Sequence, residues 1–273
     1  MTKSLSKIIC LFFAACVLSS CKTARMPTES IDEYGFSKVL VKGGDFWITT
    51  YQKITNPNKT YVFYIEGDGL AYINKYRISP NTTPKHQMLL RLVVQDERPN
   101  IVYVARPCQY TPMELNPSCN NAYWTSKRMS EDSVYSLNEA INKINNKQKF
   151  SLIGFSGGGS MAVLIAARNQ QVKDILTVSG NLDHRAFNLF HNVSPMNESL
   201  NPIEYVDKVK HIPQLHLSGG KDKIVPPSIA AKFVDAASSN CVKQKIYHKS
   251  SHSEGWKDSW YNILSSEKIN CQK

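Results

Sequence analysis

Phe150-Ser-Leu-Ile-Gly154-Phe155-Ser156-Gly157-Gly158-Gly159-Ser160 decides how this chain is read. Five residues that suit a buried strand run straight into a serine set among glycines, and a helical pattern follows over residues 158–169. A serine hydroxyl is a poor nucleophile unless it is exposed, strained and next to a base. A sharp strand-to-helix turn supplies the first two, and it needs small neighbours because its backbone packs closely. Gly154, Gly157 and Gly158 meet that need, while Gly159 and Ser160 keep the helix start thin, so that its N–H groups face outward.

Working outward, short apolar runs alternate with helical patterns. Strands are expected at 46–51, 61–65, 101–105, 175–178, 214–217 and 245–248, and helices at 86–94, 229–237 and 256–265. Ser130 caps a further helix, with Glu131 and Asp132 in its first turn and Val134, Leu137, Ile141 and Ile144 as one apolar stripe. Continuous apolar strands alternating with helices imply an α/β fold, a mostly parallel central sheet with helices on both faces. Sites in such sheets lie at the carboxyl ends of the strands.

With that context, Gly154-Phe155-Ser156-Gly157-Gly158 resembles the nucleophile turn of the α/β-hydrolase superfamily, and the resemblance extends over most of residues 45–268. The family implies a chain order of Ser, acid, His. Ser218-Gly219-Gly220-Lys221-Asp222 follows the 214–217 strand, and His252 lies in the loop before the last helix. The resemblance therefore implies Ser156 as nucleophile, His252 as general base and Asp222 as the acid that fixes its tautomer. Asp183, in the loop after the preceding strand, is the alternative acid, since some lipases place theirs there. His216 is read as a core histidine and His248 as a strand residue.

The resemblance further implies an oxyanion hole from the N–H groups of Gly157 and Asp68. Glu66-Gly67-Asp68-Gly69 follows the 61–65 strand where esterases carry a His-Gly segment, but Glu66 replaces the histidine. An acid beside an oxyanion needs a partner, and Arg106 is the one suggested. The stretch 183–202 sits where many hydrolases insert a lid but is too short for a large cap, so a small cap or none is expected. Trp124, Phe187 and Phe190 are candidate pocket residues.

The N-terminus reads as an export signal. Lys3 and Lys7 precede a charge-free run over residues 8–18, too short to span a bilayer, and Leu18-Ser19-Ser20-Cys21 follows at once. This resembles a bacterial lipobox, which implies a signal peptide at 1–20, acylation of Cys21, and a tether and first strand region over 21–44 ahead of a hydrolase domain at 45–273. Lys22 is a cue for the outer membrane. Location in the cell envelope, facing the periplasm or exterior, is the expectation. Cys108, Cys119, Cys241 and Cys271 remain, an even number that suits an oxidising compartment. Cys108–Cys119 and Cys241–Cys271 are the expected disulfides; zinc is the rival, but no CxxC pair supports it.

The chain has a formal net charge of +11, which falls by two if residues 1–20 are removed. Its lysines are scattered, with no basic recognition helix, so nucleic acid is not expected as a partner. The surplus suits a solvated surface with a bias toward anionic lipid. A Ser-His-Asp site requires no metal or organic cofactor. The reading is an ester hydrolase acting on a small-molecule or lipid ester; a peptidase or amidase of the same fold, and a non-catalytic binding protein that keeps it, are the alternatives.

Overall fold

The computed structural model describes residues 28–271. The proposed signal segment and Cys21 lie outside the described residues. In chain order, β1 (Ser37–Gly43), β2 (Phe46–Ile54), β3 (Tyr61–Ile65), β4 (Tyr72–Asn74) and β5 (Arg77–Ile78) precede α1 (Met88–Val93) and β6 (Asn100–Val104). Next come α2 (Glu131–Ile144), β7 (Phe150–Phe155), α3 (Gly157–Ala166), β8 (Val172–Val178) and α4 (His184–His191). The chain closes with α5 (Val206–Val209), β9 (Gln214–Gly219), α6 (Pro227–Ala237), β10 (Val242–Tyr247) and α7 (Trp260–Ser266).

The main sheet runs in the order β1-β2-β6-β3-β7-β8-β9-β10. The β1–β2 and β2–β6 pairs are antiparallel and every later pair is parallel. This is the mostly parallel α/β-hydrolase sheet the sequence implied. β3 and β6 are buried at every position because both their faces are covered. The period of two along a strand sorts their side chains. Phe63, Ile65, Val102 and Val104 join α2, α3 and α6 in one core. Val62, Tyr64, Ile101 and Tyr103 join α1, α7, Ile31 and Phe36 in the other. The edge strands β1 and β10 carry Lys38, Lys42, Lys243 and Lys245, which discourage further strand pairing.

Three expectations shift. Residues 31–43 are built into the unit, with Ile31 and Phe36 buried and β1 paired along β2, so the folded unit starts before Asp45. β10 ends at Tyr247 and leaves His248 in the turn that follows, because the chain must reverse there to deliver Ser250 to Gly255. The expected helix at 256–265 divides into a 3-10 turn, Lys257–Ser259, and α7. Disulfides join Cys108 to Cys119 and Cys241 to Cys271.

Candidate active site

β7 ends in the middle of the sheet, and Ser156 turns the chain into α3 with φ 52° and ψ −119°. That conformation is costly for a side chain other than glycine, so the surroundings must hold it. The Ser156 N–H donates to Val178 O at 3.0 Å, and its own carbonyl accepts from Gly159 N and Asn181 N, both at 3.0 Å. The glycines are steric requirements. A Cβ on Gly154 would collide with the Gly158 backbone, and one on Gly158 with the Ile65 carbonyl.

Two loops from neighbouring strands complete the arrangement. Asp222 follows β9; its Oδ1 accepts the Ile224 and Val225 N–H groups, each at 2.8 Å, and its Oδ2 lies 2.9 Å from His252 Nδ1. His252 Nε2 is then 3.1 Å from Ser156 Oγ. Burial alone would raise the Asp222 carboxyl, but the His252 bond and the two amides outweigh it and hold the pKa below the usual carboxylate value. The His252 loop is tied down on several sides. Its carbonyl accepts from Ser179 Oγ at 3.2 Å and Trp256 Nε1 at 3.2 Å, Lys221 N donates to Ser250 O at 2.9 Å, and the ring lies 5.0 Å from Phe155 between centroids. Nδ1 faces a carboxylate and carries the proton, which leaves Nε2 free to accept one from the serine.

Asp183 is placed differently. It caps α4, accepting from Arg185 N at 3.1 Å and Ala186 N at 3.2 Å, and its other oxygen pairs with Lys232 at 2.6 Å. No histidine ring nitrogen hydrogen-bonds to it among the described residues. His216 is fully buried with Nδ1 2.9 Å from Thr177 Oγ1, and burial pushes it down to about 3, so it stays neutral.

The Glu66–Gly69 loop crosses over the serine turn. A Cβ on Gly67 would come within 3.3 Å of Ser156 Cβ. Neither the Asp68 nor the Gly157 N–H makes a hydrogen bond among the described residues, and Gly157 opens a helix where such groups have no helical partner. Arg106 Nη1 contacts Asp68 Oδ1 at 3.2 Å, the pairing suggested from sequence. The stronger partner was not foreseen. Arg128 Nη1 reaches Asp68 Oδ2 at 2.8 Å from sixty residues away, in a loop with no motif to mark it. Burial would raise the Asp68 carboxyl, but the two guanidinium groups hold it below the usual range. A Cβ on Gly157 would collide with this carboxylate.

Among the described residues no cation lies within hydrogen-bond reach of Glu66. Its oxygens accept from Gly67 N at 2.8 Å and Tyr103 Oη at 2.7 Å, and burial lifts its pKa to about 7. Beside this site opens a cleft of about 830 Å³ lined by Phe187, Arg128 and Ile224, among others. Trp124 is buried, with Nε1 donating to Ser79 O at 3.0 Å, and Phe190 points to solvent; of the three expected pocket residues only Phe187 lines this cleft. The lid stretch is α4 and a loop, a small cap. Among the described residues no cluster of side chains suits a metal ion.

A serine at a positive φ, backed by a histidine and an aspartate at the carboxyl edge of a mostly parallel sheet, defines an α/β-hydrolase of the serine type. Residues 86–254 match the serine hydrolase (FSH1) family, and the chain belongs to that family. No curated protein matches its sequence. Among solved structures it is similar to the Pyrococcus furiosus esterase Pf2001, with a TM-score of 0.61 at 12% identity over 88% of this chain and 94% of that one. It is also similar to the Pyrococcus horikoshii acylaminoacyl peptidase, with a TM-score of 0.60 at 14% identity over 84% of this chain and 39% of that one. These likenesses concern the fold.

Proposed function

We propose that this serine hydrolase cleaves carboxylic esters through an acyl-enzyme on Ser156. The observation that carries the reading is the hydrogen-bonded line from Asp222 to His252 to Ser156, at 2.9 and 3.1 Å, behind a serine held at a positive φ. In the first half-reaction His252 Nε2 takes the Ser156 proton as Oγ bonds to the substrate carbonyl carbon. The negative charge gathers on the carbonyl oxygen, toward the Gly157 and Asp68 N–H groups. Collapse breaks the bond to the alcohol, which leaves with the proton from His252. Water then repeats the sequence and releases the acid. Asp222 keeps Nδ1 protonated and stabilises the imidazolium.

The test is labelling by a fluorophosphonate, with p-nitrophenyl esters assayed beside peptide anilides. The wild type should be labelled and turn over the esters, and Ser156→Ala should do neither. A folded wild type that resists the probe would sink the reading, and preference for the anilides would move it to a peptidase or amidase.

Anchorage belongs to the same proposal. Acylation of the Cys21 thiol, followed by removal of residues 1–20, would hold the enzyme on an envelope membrane, facing the periplasm or exterior. The apolar run over residues 8–18, followed by Ser19-Ser20-Cys21, supports it, and the two disulfides suit an oxidising compartment. Among the described residues no helix is long and apolar enough to cross a membrane. Cys21→Ser should shift the protein from the membrane to the soluble fraction; unchanged partition would refute acylation.

A further inference from the structure

The cleft beside Ser156 has a one-signed wall. Phe187, Val193, Met196 and Ile224 give it an apolar lining, and its charged lining residues are Lys75 and Arg128, with no aspartate or glutamate among them. Two of its lining residues adjoin the loops that build the reacting centre. Ile224 belongs to the Asp222 loop, and Arg128 holds the Asp68 carboxylate that packs against Gly157. We infer that Arg128 selects substrates, and that the enzyme prefers esters bearing a carboxylate a few atoms from the scissile bond.

The guanidinium is fixed before any ligand arrives. Its Nε donates to Thr125 O at 2.9 Å, its Nη1 to Asp68 Oδ2 at 2.8 Å, and the Arg128 carbonyl accepts from Arg106 Nη2. Nη2 donates to no group among the described residues, and the side chain is 15% exposed. A partly desolvated cation with two donors committed and others open favours an acceptor with a full charge, since such bonds are the strong ones. A carboxylate suits it, being planar with two acceptor oxygens. Pinning removes most of the rotamer cost of forming that contact. Asp68 does not saturate the site, because it divides its two oxygens between Arg128 and Arg106. Lys75, also in the lining, adds attraction without fixed geometry.

This inference rests on Ser156 as the nucleophile, and the experiment separates the two. Mono-p-nitrophenyl glutarate and its terminal-amide analogue, the p-nitrophenyl ester of glutaric acid monoamide, are nearly the same shape and differ chiefly in the terminal charge. The wild type should favour the anionic ester in kcat/KM, and Arg128→Gln should cut that preference by about tenfold to a hundredfold, mostly through KM, the scale of one hydrogen bond to a charged group. Arg128→Lys should keep part of the preference and controls for a general loss of fold. A wild-type ratio at or below one, or an undiminished ratio in Arg128→Gln, would overturn the inference. Should neither ester be hydrolysed, the ester reading fails but the anion site is still read by calorimetric titration with glutarate. Binding to wild type and not to Arg128→Gln supports it; no binding to wild type, or inorganic phosphate binding in preference to glutarate, overturns it.

Discussion

Replacing Asp222 by asparagine isolates the orientation of His252 from the rest of the site. Asparagine keeps an oxygen where Asp222 Oδ1 accepts the Ile224 and Val225 amides at 2.8 Å, so the loop has no reason to move. What changes is the atom 2.9 Å from His252 Nδ1, where an NH₂ now stands in place of an acceptor. The ring responds by moving its proton to Nε2. That nitrogen, 3.1 Å from Ser156 Oγ, then donates to the serine instead of accepting from it. With the base in the wrong tautomer, kcat should fall by about 10⁴. Asp183→Asn is the matched control. Asparagine caps a helix as well as aspartate does, so the loss is the pair with Lys232, whose side chain is 59% exposed. The carboxylate end is buried, with 2% of its side chain exposed, so the loss falls on stability, by about 1–3 kcal/mol, while kcat should stay within about twofold of wild type. The assay is steady-state hydrolysis of p-nitrophenyl butyrate, with circular dichroism to establish folding. A fall of less than tenfold in Asp222→Asn, or a larger fall in Asp183→Asn, would refute the assignment.

Two further outcomes follow from the loop over the serine. Burial raises the Glu66 carboxyl to about 7 from an ordinary 4.5, so the native state holds a proton that the unfolded chain has lost in that window. Its contribution should therefore be fully present below about pH 4.5 and fall as pH rises to about 7, by roughly 3 kcal/mol in all. Urea denaturation at pH 5 and pH 8 should show this fall relative to Glu66→Gln, in which it is absent; identical pH slopes would dismiss the buried-acid account. Gly157→Ala places a methyl against the Asp68 carboxylate, which its two arginines prevent from swinging away. It should cost about 1–3 kcal/mol as an overpacked site and lower kcat by more than tenfold, measured by thermal melting and ester hydrolysis. Wild-type kcat in a stable Gly157→Ala variant would mean that the Asp68 loop is not pressed on the serine turn.

By itself the sequence determined the parallel α/β sheet and the turn at Ser156, and its family resemblance implied an acid and then His252 further along the chain. The sheet strands and the turn are local features. A strand buried on both faces must be apolar throughout, and a tight turn must be made of glycine, so each leaves a mark within a few residues. What stands beside the imidazole was decided by tertiary structure, because Asp183 and Asp222 both follow strands and both suit turns; only packing sends one to cap a helix and the other to His252. Arg128 was decided the same way. Its partner lies sixty residues off, its loop bears no motif, and an arginine in sequence looks alike whether it is solvated or pinned under a cleft. Periodicity records which side of an element is buried, whereas the meeting of two loops depends on how the strands beneath them are ordered.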